Sequence, residues 1–445
     1  MLRKKGCAKL KRGVECWNRW RDKNLTEKLD LSGINLCNQQ LKGVNFRGLN
    51  LRGANLVKAN LKNANLDGAD LSYANLSKAQ LTGASLVGAN LSGAILVKAN
   101  YHNADLIGSC LAMADLTRAN LRIVNFSYAD LSDANFSGAD LDGADFKSAN
   151  LTRANFFTAN LAHSCFIDAN LTCASLEKAN LERANLERAN LSEANLTKSN
   201  GFHASFVMSD FQDAILELAN LQHANLSKAS LVNIYAIEAD LQRANLSGAN
   251  LSEADLSGAS LNRANLMSAK LIATQVFKTN FQGCNLTGAT LDKLGLDELT
   301  VFDNVICKYL YIGKKQKSDS PTGSNYLSAV ELKNIIDQVA GNLDIVLNRE
   351  TNWGIALLTL QKLQRKYSAT QMYIKEIKGL KTGDLIIKLF VSSNINRKAF
   401  MKLFWNKYES LLNLPCQAQN NLYPSIFAPQ SNLIEINQTV SNQIR

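Results

Sequence analysis

The chain repeats itself every five residues over more than half of its length. From Leu31, in steps of five to Leu291, 49 of 53 positions hold Leu or Phe. The residue two places earlier is Ala at 39 of the 48 steps between Ala54 and Ala289, and the residue between the two is usually Asn or Asp. A fixed short period of this length predicts a solenoid, in which each repeat packs only against its neighbours.

The positions within each group of five predict its local structure. A period of five fits neither the helical period of 3.6 nor the strand period of 2. Ala at position minus two and Leu at the centre lie on the same side of an extended segment, so both are predicted to point inward, with Asn or Asp pointing outward. Gly recurs at position plus two, for example at Gly33 and Gly93, where it suits a tight turn with positive φ. Each group therefore predicts a short extended side followed by a corner.

The motif Ala-(Asn/Asp)-Leu-x-x resembles that of the pentapeptide-repeat family, over residues 29 to about 302. The resemblance implies an all-β solenoid, a right-handed quadrilateral β-helix with four such sides in each coil. With 53 sides, the chain would form about 13 coils, stacked at ~4.8 Å into a rod ~60 Å long. Leu and Phe would fill its inside and Ala would line them.

Two departures from the repeat test this interpretation. Gly201 and Ser199 leave both inward positions small, so either Phe202 turns inward or the coil is a weak, kinked point. Ile234 and Ala236 exchange the large and small inward residues, which conserves volume, and this coil should survive. An aromatic stack is also predicted in the middle of the core, from two sets of phenylalanines on opposite sides: Phe126, Phe146 and Phe166, and Phe136 and Phe156.

Composition divides the chain into five parts. We predict a basic N-terminal cap helix over 1–28, the β-helix over 29–306, a linker over 307–326, a small α+β domain over 327–414 and a disordered tail over 415–445. Residues 1–28 hold 10 Lys and Arg against 3 acids, the repeats hold 21 against 26, and the remainder holds 18 against 9. The overall charge of +11 therefore comes from the ends of the chain.

The N-terminal segment predicts a short helix, because Leu10, Val14 and Trp17 recur at helical spacing. It resembles the leader helix that precedes the first coil in many cyanobacterial pentapeptide-repeat proteins. We expect it to cap the solenoid, whose end exposes apolar residues and unpaired backbone. Attachment of a basic helix to a membrane surface is the alternative.

The segment after the linker loses the five-residue period. Its pattern predicts a helix over 329–339, a strand over 343–347, a helix over 352–367 with Trp353, Leu357, Leu360 and Leu363 on its buried face, hairpin strands over 372–377 and 385–391, and a helix over 397–412. This β-α-β-β-α unit resembles the small C-terminal domain of many cyanobacterial pentapeptide-repeat proteins. The resemblance implies no chemistry.

Residues 20 apart should stack into columns along the corners of the coil. Two columns are basic at position plus two: Lys58, Lys78, Lys98 and Arg118 in one, and Arg183, Arg243 and Arg263 in the next, where His163, His203 and His223 also fall. Such columns could bind an acidic partner, such as a nucleic-acid backbone, or could be a solvated surface. Because the repeats as a whole carry a net charge of −5, we favour the second interpretation and do not expect nucleic acid as a partner.

A cluster of apolar residues occupies position plus one, where Ser and Thr predominate. Its members are Val232, Ile237, Ile272 and Phe277. A cluster of exposed apolar residues is typical of a binding surface. The C-terminal domain, a second copy of the chain or another protein could each cover it, and the sequence leaves the oligomeric state open.

The sequence offers no catalytic or cofactor-binding motif. It lacks a P-loop, G-x-G-x-x-G, H-E-x-x-H and G-x-S-x-G, and we expect neither a cofactor nor a metal. Nine cysteines without C-x-x-C favour reduced thiols in the cytoplasm, and no apolar stretch is long enough to span a membrane. We therefore predict a non-catalytic scaffold for protein–protein interaction. The alternatives are a DNA mimic acting on an enzyme such as topoisomerase, which the weak negative charge disfavours, and attachment to nucleic acid or membrane through the basic ends.

Overall fold

We describe a computed structural model of the 445-residue chain. The described residues are 7–24, 27, 29–296, 299–313, 316–319, 326–339, 342–347, 351–364, 372–379, 385–391 and 397–413. The chain forms two compact units, Met1–Thr290 with Glu298–Ala329, and Leu291–Asp297 with Val330–Arg445. The predicted disordered tail, 415–445, lies outside the described residues.

The repeats of the first unit form a right-handed β-helix with 20 residues per coil. Residues at position minus one pair in parallel with those 20 places later, from Asp30 with Asn50 to Asn265 with Asn285. The backbone N–H at the centre position donates to the next coil, as Leu51 does to the Asp70 carbonyl at 2.7 Å. These ladders confirm the predicted solenoid.

The Asn or Asp at position minus one stabilises its own corner. The Oδ1 of Asn75 accepts hydrogen bonds from the backbone N–H of Ser77 at 3.0 Å and from its hydroxyl at 2.7 Å. The same backbone bond recurs along the coils, for example from Arg52 to Asn50 at 3.0 Å. The side chain thus satisfies an N–H at the corner, a local bond typical of Asx turns.

Position plus two adopts positive φ whether or not the residue is Gly. Lys58 has φ of 55°, Ile123 has 55° and Gly93 has 63°. This confirms the turn that the glycines predict, and it shows that the other side chains at this position accept a left-handed conformation costing roughly 1–2 kcal/mol each. The corner side chains are therefore held in fixed columns.

The inward positions form the predicted core. The rings of Phe146 and Phe166 stack with centroids 4.6 Å apart, and those of Phe136 and Phe156 with centroids 4.8 Å apart. The two stacks meet in T-shaped, edge-to-face contacts, with Phe146 and Phe156 centroids 6.0 Å apart and an interplanar angle of 85°. All four rings are fully buried, so aromatic packing fills the middle of the coil stack.

The two irregular coils keep their backbone hydrogen bonds to the next coil, as Ala236 does to the Asp255 carbonyl at 2.8 Å. Gly201 donates to the Asn220 carbonyl at 2.7 Å, and a Cβ added to Gly201 would lie 2.7 Å from Cδ2 of Leu221. Neighbouring side chains therefore occupy the space beside Gly201, and Phe202 is only half-buried, so the prediction that Phe202 turns inward was wrong. That this coil is a weak point stays a prediction. Ile234 and Ala236 are both buried, as volume conservation predicts.

Helix α1, Val14–Asp22, packs on the first coil. Trp17 is fully buried, and its ring meets that of Phe46 edge-on at 5.6 Å between centroids. Trp17 Nε1 donates to the Asn45 carbonyl at 2.8 Å, and the Asn45 N–H donates to Asn18 Oδ1 at 2.9 Å. Arg21 Nη2 donates to the Arg47 carbonyl at 2.8 Å. The helix therefore supplies hydrogen-bond partners for backbone groups of Asn45 and Arg47 at the start of the coil stack.

The coils end in a four-stranded sheet. Its strands, in the order β1-β2-β3-β4, are β1, Lys270–Ile272, β2, Thr290–Asp292, β3, Tyr309–Ile312, and β4, Gln316–Asp319. The pairing of Asn280 with Val301 and of Asn285 with Ile306 spans 21 residues, so one residue is inserted in the last coil. Strands β3 and β4 are antiparallel, so the segment predicted as a linker contains a hairpin.

The second unit combines helices with an antiparallel sheet. Its helices are α2, Ala329–Val339, α3, Trp353–Gln364, and α4, Arg397–Leu412. Its strands are β5, Asn342–Leu347, β6, Met372–Gly379, and β7, Leu385–Val391, in the order β5-β7-β6.

The core of the second unit lies between this sheet and helices α3 and α4. Ile345 of β5 and Leu389 of β7 pack with Leu360 of α3 and Phe404 of α4. The Asn352 side chain caps α3, because its Oδ1 accepts from the Ile355 N–H at 3.1 Å. Trp353 is 40% exposed, so its predicted place on the buried face of α3 was wrong.

Candidate functional site

The candidate functional sites among the described residues are surfaces of the coils. Within those residues, no three His, Cys, Asp or Glu side chains come together in a way that could hold a metal ion. None of the helices in the described ranges is long and apolar enough to cross a membrane.

The first surface, which we call the apolar–acidic face, comprises residues 212–218, 232–238 and 252–258. The predicted residues Val232 and Ile237 lie on it and are half-buried, and Ile272 and Phe277 lie on the next coil, also half-buried. Ile215 and Tyr235 pair directly across adjacent coils. Columns of the β-helix therefore bring the predicted cluster together with further apolar residues.

Three exposed members of this face escaped the sequence analysis. Ile215 is 39% exposed, Leu218 is 40% exposed and Tyr235 is 48% exposed. Ile215 and Tyr235 stand at position minus one, where the repeat needs an Asn or Asp to accept the corner hydrogen bond. An apolar residue in place of Asn or Asp at position minus one could have identified Ile215 and Tyr235 from the sequence. The predicted cluster considered position plus one alone.

Acidic residues surround the apolar ones on this face. Its three segments contain five acids and neither Lys nor Arg: Asp213, Glu217, Glu238, Glu253 and Asp255. Asp213 Oδ1 accepts a hydrogen bond from Asn233 Nδ2 at 2.6 Å. This bond, together with a weaker one from Gln212, lowers the pKa of Asp213 and keeps its carboxylate charged at neutral pH.

The second surface, which we call the basic face, comprises residues 37–42, 57–62, 77–82, 97–102 and 117–122. It holds seven Lys and Arg and no Asp or Glu. The predicted residues Lys58, Lys78, Lys98 and Arg118 form one edge of the face, and Lys42, Lys62 and Arg122 form the other. All seven side chains are exposed. The structure thus adds a second row of cations to the predicted column.

Amides lie between the two rows of cations. Asn60 Nδ2 donates to Gln40 Oε1 at 2.9 Å, and Asn100 Nδ2 donates to Gln80 Oε1 at 3.3 Å. The face ends where the next coil brings acids, because Arg122 forms an ion pair with Asp142 at 2.8 Å. The basic face is therefore a bounded surface of cations and amides on five successive coils.

The remaining predicted cations lie outside this face. Arg183, Arg243 and Arg263 are exposed in the column that also holds His203 and His223, whose rings stack with centroids 4.8 Å apart. Arg183 lies 3.8 Å from Glu182 in an ion pair. The two predicted columns therefore differ, since only the first belongs to a surface without acids.

A family described as pentapeptide repeats matches the chain in eight copies. The matched residues are 28–56, 50–86, 84–122, 124–156, 164–200, 179–217, 214–252 and 237–271. Together these segments cover more than half of the chain. No curated protein sequence matches the chain.

Several solved structures are similar to parts of the chain. HetL, a pentapeptide repeat protein involved in heterocyst differentiation regulation in the cyanobacterium Nostoc sp. strain PCC 7120, is 28% identical, with 55% of this chain and 91% of HetL covered and a TM-score of 0.19. QnrB1, a plasmid-mediated fluoroquinolone resistance protein, is 17% identical, with 63% of this chain and 92% of QnrB1 covered and a TM-score of 0.17. Rfr23, a pentapeptide repeat protein from the cyanobacterium Cyanothece 51142, is 31% identical, with 35% of this chain and 64% of Rfr23 covered and a TM-score of 0.08. These TM-scores are low, so any assignment rests on the repeat match.

Proposed function

Because the chain belongs to the pentapeptide repeat family, we propose that it is a non-catalytic scaffold that binds a protein partner through the apolar–acidic face. The observation that supports this proposal is the presence of Ile215, Leu218 and Tyr235 at 39–48% exposure on adjacent coils. Exposed apolar residues are ordinary when single, but a contiguous group rimmed by polar residues marks an interaction surface.

The composition of this face suits a protein interface. The centre of such an interface is apolar and often contains Tyr, whereas its rim is polar and charged. Burying the exposed apolar area would contribute roughly 25 cal/mol for each Å² removed from water. The five acids at the rim would select a partner whose apolar patch is bordered by Lys or Arg.

Replacement of the three exposed apolar residues tests this proposal. The variant Ile215→Ser, Leu218→Ser, Tyr235→Ser should lose its specific partners in affinity capture followed by cross-linking mass spectrometry. The matched control is Tyr73→Ser, Met113→Ser, Tyr128→Ser, which changes residues that are 57–62% exposed elsewhere on the coils. Equal recovery of every partner by both variants would contradict the proposal.

An intramolecular partner is one outcome of the same experiment. Residues 307–445 carry 18 Lys and Arg against 9 acids, so their charge complements the acidic rim. Cross-links from the apolar–acidic face to residues 327–414 of the same chain, lost in the triple variant, would identify that segment as the occupant. An external binding function would then need another surface.

DNA mimicry has less support. A mimic needs a continuous acidic surface, whereas the apolar–acidic face covers three coils and the basic face covers five. We therefore expect no inhibition of topoisomerase supercoiling by the purified protein, and inhibition in the absence of DNA binding would favour mimicry instead.

We also propose that the second unit is an independent α+β domain and that the protein acts in the cytoplasm. The core shared by β5, β7, α3 and α4 supports the first proposal, because a domain needs apolar burial of its own. Cysteine spacing without a disulfide or metal pattern supports the second.

A further inference from the structure

We propose that the basic face binds the phosphate backbone of a duplex nucleic acid. The proposal concerns coils that precede the apolar–acidic face in the chain, and it does not depend on the function proposed for that face. A partner for these seven cations was not expected from the net charge of the repeats.

The structure explains why that net charge was misleading. The repeats hold 26 acids and 21 bases, but folding separates them by column and by coil. Residues of the basic face contribute seven bases and no acid. Since exposed charges more than about 10 Å apart are screened at physiological salt, a phosphate near the first four coils of this face meets mainly its lysines, whereas Arg122 on the last coil is paired with Asp142.

The side chains of the basic face are those that contact phosphates. Lys and Arg supply charge, and Asn and Gln donate hydrogen bonds to phosphate oxygens. None of the exposed large apolar side chains lies within the five segments of this face. A protein partner would leave such an interface without an apolar centre, so a polyanion fits the face better than a protein does.

The arrangement of the cations favours a duplex over a single strand. Tyr101, the one aromatic residue in the face besides the His102 ring, is fully buried, so no exposed phenol or phenyl ring is available for stacking unpaired bases. Lys58 and Lys62 are four residues apart on an extended side, which separates the two rows by at most ~13 Å. This is close to the ~12 Å width of the major groove, so the rows can contact phosphates on both of its sides.

Charge reversal in the first row tests the proposal. The probe is a fluorescent duplex of about 25 base pairs, which is longer than the ~19 Å face. Its binding is followed by fluorescence anisotropy across a salt series. For the variant Lys58→Glu, Lys78→Glu, Lys98→Glu we expect at least about tenfold weaker binding, and a salt slope smaller by about three because about 0.9 counterion is released per phosphate contact.

The control removes the same charge elsewhere. Arg183→Glu, Lys228→Glu, Arg243→Glu changes three exposed cations in other columns that share the positive φ of the first set, and it should weaken binding less than about threefold by its long-range effect alone. The neutral variant Lys58→Gln, Lys78→Gln, Lys98→Gln removes the positive charges without introducing carboxylates, so it controls for misfolding of the charge-reversal variant. Its affinity for the duplex should lie between those of the wild type and the charge-reversal variant.

Four results would overturn the proposal. The wild type could fail to bind the duplex at low salt, or the two charge-reversal variants could lose affinity equally, which would indicate attraction by overall charge. A single strand of the same length could bind more tightly than the duplex. Vesicles containing anionic lipid could bind through the same lysines while the duplex does not, which would identify a membrane surface as the ligand.

Discussion

The side chain at position minus one explains why the repeat reads Ala-(Asn/Asp)-Leu. Its oxygen accepts the N–H of the corner, as Asn75 does from Ser77, while its own backbone pairs with the neighbouring coils. Ala and Leu on either side fill the inside of the coil. The motif therefore combines a buried pair with one local hydrogen bond.

Restoring this hydrogen bond should stabilise the chain. Ile95 stands at position minus one between Asn75 and Asp115 and is 42% exposed, and its side chain cannot accept the N–H of Val97. We expect Ile95→Asn to raise the free energy of unfolding by about 1 kcal/mol, measured by urea denaturation.

The matched control reverses the change one coil earlier. Asn75→Ile should lower the free energy of unfolding by a similar amount, because it leaves the Ser77 N–H without the side-chain acceptor. If Ile95→Asn were destabilising while Asn75→Ile had no effect, the corner hydrogen bond would not be what selects Asn at this position.

Single residues also show where prediction from the sequence succeeds. Leu141 and Ala139 are buried, as their positions in the repeat require, since each side of the coil has the same geometry. The burial of Phe202 and of Trp353 was predicted wrongly because their surroundings come from other parts of the fold. Leu221 limits the space beside Gly201, and no local pattern contains that information.

At the scale of the element, helix α1 packs against the backbone at the start of the coil stack. A β-helix ends in unpaired backbone groups, and α1 supplies Trp17, Asn18 and Arg21 to the edge formed by Asn45 and Arg47. We therefore propose that α1 is the N-terminal cap of the solenoid. The helical spacing of Val14 and Trp17 predicted a helix, but the backbone groups that it satisfies depend on tertiary packing.

Trp17→Ala should loosen the first coil and leave distant coils intact. The change removes a fully buried ring and a hydrogen bond to Asn45, at a cost of about 3–5 kcal/mol. Because each coil contacts only its neighbours, we expect faster amide hydrogen exchange in residues 31–50 and unchanged exchange in residues 200–250. Arg19→Ala is the control, since the Arg19 side chain is 81% exposed. Faster exchange along all coils would contradict the role of a local cap.

The hairpin of β3 and β4 shows what composition alone misses. Lys, Ser, Pro and Gly between residues 314 and 325 predicted a linker, yet β3 pairs with β4 in the register of Tyr309 with Asp319. Pairing with an existing sheet edge can order a polar segment, because the edge supplies partners for its backbone groups. That edge exists only after the coils have folded.

At the scale of the whole repeat region, function is proposed to lie in columns rather than in a cleft. The five-residue period of the sequence predicts which residues share a column. Whether two neighbouring columns carry the same sign of charge has to be read from residues that are far apart in the sequence. The basic face emerges only when Lys58 and Lys62 are seen as two edges of one side. Its absence of acids was hidden in a net charge summed over all coils.

Both proposed surfaces require residues 20 apart in the sequence to lie side by side on adjacent coils. The most direct test is therefore a measurement of that 20-residue register. We expect Lys58→Cys with Lys78→Cys to form a disulfide on mild oxidation, because neighbouring coils lie ~4.8 Å apart and a disulfide needs Cα atoms roughly 4.4–6.8 Å apart. The pair Lys58→Cys with Asn63→Cys, on successive corners, should not form one. Peptide mapping by mass spectrometry distinguishes these bonds from any made by the native cysteines. A disulfide in the second pair and none in the first would contradict the 20-residue coil and both surfaces built on it.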